Sequence, residues 1–213
     1  MTCPNPIPRR RTRRKKSSRE KITATALAEF ADNGLAGARI DRIAATAGVN
    51  KAMIYYHFSS KDNLYRQVVD EFVGDLMSRI SQAISDKATV ETGLMRLAEV
   101  YTELVTEYPE FPRLLLRELA DPGGRMLGRI SRILVRSGNP AQMERLLSRG
   151  VAGGQLRRIN VRQALVSFLT MNIGYFLMAP LLDEVMDIKD RKRFVKERKK
   201  AVVDLFLNGV KAR

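Results

Sequence analysis

The sequence predicts an all-α fold, and two observations carry that prediction. Apolar residues recur at intervals of three and four along most of the chain, the spacing that lines one face of a helix. Nowhere does a run of period-two alternation stand between turn residues, so no strand is expected, and there is no internal repeat. The chain has 213 residues, 45% apolar and 29% charged. That is an ordinary globular balance with enough length for a sizeable core.

The elements follow in order. Residues 1–16 read as a flexible basic arm, because Pro4, Pro6 and Pro8 block helix and the run Arg9 to Lys16 repels itself. Ser17 and Glu20 have the spacing of a capping box, Ile22, Leu27, Phe30 and Ala31 continue at helical spacing, and Asn33-Gly34 supplies a stop. A short helix fits 41–47, a turn 48–50 and a second short helix 51–58. A long helix runs from Lys61 to about Ile84 on Leu64, Val68, Phe72, Leu76 and Ile80. The stretch 89–107 gives another on Leu94, Leu97, Tyr101 and Leu104, and Pro109 can start the next, to about Ala120. Asp121-Pro122 and Asn139-Pro140 each resemble an N-cap followed by proline at the first helical position, with Gly123-Gly124 and Gly138 as breakers. Gly153-Gly154 close the Pro140 helix, Asn160 with Gln163 caps an apolar helix to about Met186, and Asp190 opens the last.

The formal net charge is +15, an excess that favours a polyanionic partner. It is concentrated at one end: residues 1–60 hold 12 Lys/Arg against 4 Asp/Glu. Cys3, the only cysteine, excludes a disulfide within the chain and fits a reducing cytoplasm. The basic N-terminal run has no apolar segment behind it, so a secretory signal is not expected. Ala164 to Leu182 carries no charge and approaches the length of a membrane span, but Ser167, Thr170, Asn172, Gly174 and Pro180 interrupt it and charged helices flank it. A buried helix is the better reading, and no membrane partner is expected.

The most informative stretch is Ile40 to Tyr65, IDRIAATAGVNKAMIYYHFSSKDNLY. A helix-turn-helix needs a small residue where its helices cross, here Ala44, and a turn residue that tolerates positive φ, here Gly48. Ile43, Val49, Ile54 and Phe58 supply apolar anchors, which leaves Lys51, Ala52, Met53, Tyr55, Tyr56 and His57 facing outward or sideways. The N-terminal side chains of such a helix reach base edges in a major groove. The segment resembles the DNA-binding domain of the TetR family. The resemblance is carried by Phe30, Gly34, Ile43-Ala44, Ala47-Gly48-Val49, Ile54-Tyr55-Tyr56-His57-Phe58, Lys61 and Leu64, and it is specific over about 18–65. It implies that Lys51, Ala52 and Met53 read bases and that Tyr55, His57 and Lys61 hold phosphates, with Arg39 and Tyr56 as further candidates. One departure is visible: Ala38-Arg39-Ile40-Asp41 stands where the family usually places a capping Thr or Ser, so Asp41 takes that role or Arg39 faces a phosphate.

Each candidate has a plainer alternative. Tyr56 and Phe58 read as core, since an aromatic at the end of a short helix usually packs. His57, the only histidine, has no cluster with which to hold a metal and no nucleophile to serve, so neither metal nor cofactor is expected. The arm is either a DNA contact or a solubility tail.

The division expected is the arm 1–16, a three-helix DNA-binding domain 17–65, and a helical-bundle domain 66–213 for ligand binding and dimerisation. In the last, Tyr101, Phe111, Leu115, Met126, Ile130, Met171, Tyr175 and Met178 are candidates to line a cavity, with Glu118, Asn172 and Tyr175 as its polar contacts. For any single one of them ordinary core is the better reading. The family resemblance implies a homodimer through the last two helices, double-stranded DNA with a palindromic operator as partner, and a small-molecule effector that releases a repressor. The competing classes are a constitutive DNA architectural protein, an enzyme on the C-terminal helices, and a peripheral membrane protein. The enzyme has neither a nucleophile–base pair nor a phosphate loop to support it.

Overall fold

The computed structural model describes residues 17–84, 88–120 and 126–212. The basic arm, the Asp121-Pro122 cap and the Gly123-Gly124 breakers lie outside the described residues. Within them are ten helices: α1 (Ser18–Gly37), α2 (Ile40–Ala47), α3 (Lys51–Phe58), α4 (Lys61–Ala83), α5 (Val90–Glu107), α6 (Phe111–Ala120), α7 (Leu127–Arg136), α8 (Asn139–Ala152), α9 (Val161–Val185) and α10 (Arg191–Val210). The described residues form no strand; an isolated bridge joins Leu156 and Lys211.

Local chemistry sets most of the helix ends. The Ser17 hydroxyl accepts from the Glu20 N–H at 3.2 Å while the Glu20 carboxylate accepts from the Ser17 N–H at 2.8 Å, which completes the capping box. Thr89, Asn160 and Asp190 cap α5, α9 and α10 through their side chains. Three boundaries depart from expectation. Gly34, at φ 66°, breaks α1 without ending it, and the chain stays helical to Gly37. Tyr108 to Glu110 form a turn, the Phe111 N–H donating to the Tyr108 carbonyl at 3.1 Å, so α6 starts two residues after Pro109. The N-cap of α8 is Gly138, at φ 71°, rather than Asn139. Asn139 is buried instead, and its amide donates across to the Met77 carbonyl of α4 at 2.7 Å.

α4 is the central strut. α1 and α7 pack along it, α5 lies beside it, and α10 packs most extensively on α5. One apolar core runs from Ile22, Phe30 and Phe58 through Leu64 and Ile80 to Leu94, Leu97 and Phe168. Each such side chain stabilises the fold by about 1.5–3 kcal/mol when fully buried. Phe30 meets Tyr65 edge-on at 4.8 Å, and Phe111 stacks on Phe72 at 3.3 Å. α7 differs from its neighbours. None of its residues is buried; Ile130, Ile133 and Leu134 lean on the core half-exposed, and Arg129 ties it to Asp70 of α4.

α9 is covered on one face within the single chain. By length and composition it could cross a membrane. One face, with Leu165, Phe168, Tyr175 and Phe176, is buried, whereas Val166, Met178, Leu181 and Val185 on the other are exposed. Pro180 lies within it.

α5 and α8 meet through glycines. A Cβ at Gly150 would lie 2.5 Å from Val90 Cγ2 and 3.0 Å from Leu156 Cγ. Both neighbours are buried, and a β-branched valine cannot swing its methyl aside. Gly150→Ala should therefore destabilise the protein by about 1–2 kcal/mol, the overpacking cost exceeding the gain in helix propensity. A urea midpoint equal to or above that of the wild type would contradict this close approach.

Candidate nucleic-acid interface

The face begins with a tight turn. α2 ends at Gly48, whose φ of 64° and ψ of 40° are left-handed, and the Val49 N–H donates back to the Ala44 carbonyl at 3.0 Å. Asn50 then caps α3, its side chain accepting from the Ala52 N–H at 2.9 Å. Ile43, Ala44 and Ala47 are buried on α2, and Ile54 and Phe58 on α3. These five fix which side of α3 points away from the protein. Ser59 makes the corner to α4 at φ 63°, a conformation seldom adopted outside glycine, and the Asn63 amide donates to the Phe58 carbonyl at 2.9 Å to close α3.

The outward side carries Lys51, Ala52, Met53, Tyr55 and Tyr56, all exposed, with Arg39 exposed just before α2. Tyr56 corrects one reading: it is 81% exposed, a surface residue and not core, whereas Phe58 is fully buried as expected. Lys51 donates to Asp41 of α2 at 2.8 Å. That hydrogen bond and the adjacent negative charge raise the ammonium pKa. His57 is half-buried between the Tyr56 and Phe58 rings, and its Nε2 is buried with no hydrogen-bond partner among the described residues. Lys61 is engaged within the protein. Its ammonium donates to the carbonyls of Ala36 and Ala38, both at 3.2 Å, at the end of α1.

The missing Thr or Ser before α2 has a substitute that the sequence reading did not find. Arg39, the N-cap of α2, gives no side-chain cap. Glu29 of α1 is 7% exposed, and its carboxylate accepts from the Arg39 N–H at 3.0 Å and from Arg42 Nη1 at 3.5 Å. A carboxylate is thus placed at the positive end of α2 from a neighbouring helix. Asp41 pairs with Lys51 instead. The available signal was a charged residue on the apolar face of α1, between Ala26 and Phe30.

The ten cavity candidates are not brought together. Glu118 and Met126 line a cleft of about 1030 Å³ between α1, α4, α6 and α7. Met171 lines a second, of about 600 Å³, beside the ends of α9 and α10. Phe111 is spent on Phe72, and Leu115 and Ile130 are half-buried. The Asn172 amide donates to Phe168 of its own helix at 2.8 Å, and Met178 is exposed. Tyr101 is buried, which raises its phenol pKa. Tyr175 donates to Asp183 at 2.6 Å, and burial, with Asp183 second, pushes its pKa up to about 12. Arg198 lies over the same ring at 5.0 Å.

Among the described residues, ten helices, two of them a helix-turn-helix formed by α2 and α3, define an all-α class of fold. Residues 22–68 match the family described as "Bacterial regulatory proteins, tetR family". The HTH-type transcriptional repressor SCO4008 of Streptomyces coelicolor is 38% identical over 102 residues, 48% of this chain and 50% of that protein. The HTH-type transcriptional repressor NicS of Pseudomonas putida is 30% identical over 101 residues, 47% of this chain and 48% of that protein. The matched region thus spans about half the length of these relatives. The structure of the regulator FadR from Bacillus subtilis in complex with stearoyl-CoA superposes with a TM-score of 0.70 at 21% identity, covering 89% of this chain and 97% of that one. That of the ketosteroid transcriptional regulator KstR2 of Mycobacterium tuberculosis does so with a TM-score of 0.72 at 18% identity, covering 94% and 98%. These two likenesses are likenesses of fold. What this chain shares with that family is thus residues 22–68, from α1 into α4.

Glu29→Ala should destabilise the protein by about 1–3 kcal/mol, since it removes the charged acceptor of the part-buried hydrogen bond from the Arg39 N–H. Chemical denaturation followed by circular dichroism reads this directly, and an unchanged midpoint would show that the carboxylate contributes nothing to α2.

Proposed function

We propose that this protein is a transcriptional repressor that binds a palindromic DNA operator as a homodimer and is released by a small hydrophobic effector. The observation that carries the reading is the outward side of α3, where Lys51, Ala52, Met53, Tyr55 and Tyr56 stand exposed on a helix whose other side is fixed in the core. A short helix held in this way suits the major groove. Lys51, Ala52 and Met53 lie in its first turn and would meet base edges, while Arg39, Tyr55, Tyr56 and His57 would meet phosphates. Lys61 can join them only by leaving the carbonyls of Ala36 and Ala38. The charge excess of the first 60 residues supports the same partner. In this reading residues 17–65 are the DNA-binding domain, 66–213 form the sensor and dimerisation domain, and the protein works in the cytoplasm.

The homodimer is supported by α9. Val166, Met178, Leu181 and Val185 form an exposed apolar stripe on it, and Leu205 of α10 is exposed as well. Such a stripe is stabilised when a second copy covers it, and two-fold symmetry then sets two α3 helices on a palindrome. The hydrophobic effector rests on the fold neighbours, one of them in complex with stearoyl-CoA and another named for ketosteroids.

Footprinting tests the central claim. The wild type should protect a short palindrome, and uniform weak protection would favour an architectural protein instead. Tyr55→Ala should weaken binding to operator and to random DNA alike by about 1–3 kcal/mol, as loss of a phosphate contact does; an unaltered affinity removes Tyr55 from the interface. Leu181→Glu should convert a dimer into a monomer in sedimentation equilibrium and lower operator affinity, whereas a variant that remains dimeric would place the interface elsewhere.

A further inference from the structure

We propose that the cleft between α1, α4, α6 and α7 binds a phosphate-bearing small molecule, of the nucleoside diphosphate type, and that its occupancy is linked to DNA affinity. The cleft encloses about 1030 Å³, at the upper end of the range of small-ligand sites. Five of its lining residues are cationic, Lys61, Arg66, Arg117, Arg129 and Arg132, against two carboxylates, Asp62 and Glu118.

Partners decide how much of that charge is available. Arg129 is neutralised by Asp70. Lys61 and Arg117 donate to backbone carbonyls, of Ala36 and Ala38 and of Ala31 and Asp32 respectively. Carbonyls satisfy their hydrogen bonds and leave the charges in place. Arg66 and Arg132 are exposed and make no ion pair among the described residues. Glu118 accepts from the Tyr65 hydroxyl. Four uncompensated cations therefore face two carboxylates in a concave wall, where low-dielectric surroundings focus the positive potential. Two free guanidiniums match the oxygen fork of a phosphate. The remaining wall suits an organic moiety: Leu35 is part-exposed beside the largely buried Tyr65 and Met126, and Glu118 can accept from a ligand hydroxyl.

The cleft also lies where a ligand would touch both halves of the chain. α1 and α4 carry the elements that hold α2 and α3, whereas α6 and α7 belong to the C-terminal part. An anion drawn to Lys61, Arg66, Arg117 and Arg132 at once favours the conformer that keeps these helices together. A ligand with that preference changes DNA affinity, and DNA changes its affinity by the same factor. This linkage rests on the DNA-binding reading above; the site does not.

Calorimetry of the full chain at fixed ionic strength, with adenosine diphosphate and with inorganic pyrophosphate as probes, tests the site. Saturable binding of at least one probe is expected, at least tenfold weaker in the Arg66→Ala/Arg132→Ala double variant and unchanged in Lys51→Ala/Tyr55→Ala. Both replaced arginines are exposed, so the fold is kept, and retained operator binding by the double variant in probe-free buffer checks this. Absence of saturable heat with both probes overturns the proposal, as does an equal affinity in the arginine variant. Loss of binding in the Lys51/Tyr55 variant instead would place the anion on the α3 face and overturn it too. A wild type that binds the probe but no DNA defeats the repressor reading and leaves the site standing.

Discussion

The carbonyl end of α1 is the joint on which the rest of the molecule depends. A helix leaves its last carbonyls without internal partners, and the left-handed Gly34 releases them a turn early. They are taken by side chains from two other helices. Arg117 of α6 donates to the Ala31 carbonyl at 2.8 Å and to that of Asp32 at 2.5 Å, and Lys61 of α4 donates to those of Ala36 and Ala38. Arg113 adds an ion pair with Asp32 at 2.9 Å. Cations at the negative end of a helix are favourable through its dipole as well as through the bonds themselves. One helix end thereby sets the position of α2 and α3 against that of α6 and everything packed behind it.

Rigidity on the presented face comes from the same economy. α2 and α3 are eight residues each, too short to be stable alone. They hold their shape because Ile43, Ile54 and Phe58 are buried against α1 and α4 and because Glu29 closes the start of α2. The outer side of α3 adds little to the fold beyond the exposed pair of Lys51 with Asp41. Lys51, Met53, Tyr55 and Tyr56 can therefore be selected for what they touch outside the molecule, which is how a fixed scaffold carries a variable surface.

What was legible in the sequence was local. Ser17 with Glu20, Gly48, Asn50, Asn160 with Gln163, and Asp190 each act within a few residues of themselves, and each stands at a helix boundary in the structure. The side of α3 that faces out followed from its two apolar anchors. What stayed hidden depends on partners far along the chain. Glu29 serves Arg39, Arg117 serves α1 across 85 and 86 positions, and Asn139 gives up its capping role to reach Met77. Periodicity carries no record of such pairs. The cavity candidates were illegible for a different reason: a residue that packs and a residue that lines a void need the same apolar chemistry, so Tyr101, Phe111 and Met178 looked alike and have different surroundings.

The poor burial of α7 has a consequence for motion. Its half-exposed Ile130, Ile133 and Leu134 and its tether from Arg129 to Asp70 are what hold it in place. The free energy of detaching a segment scales with the apolar contact it must give up. Amide protons along 127–136 are therefore expected to trade with solvent through local opening before those of α4 or α5, whose buried faces give up more apolar contact on opening. This lightly anchored helix forms one wall of the cleft of about 1030 Å³, so local opening there would change the shape of the cleft without unfolding the rest of the chain.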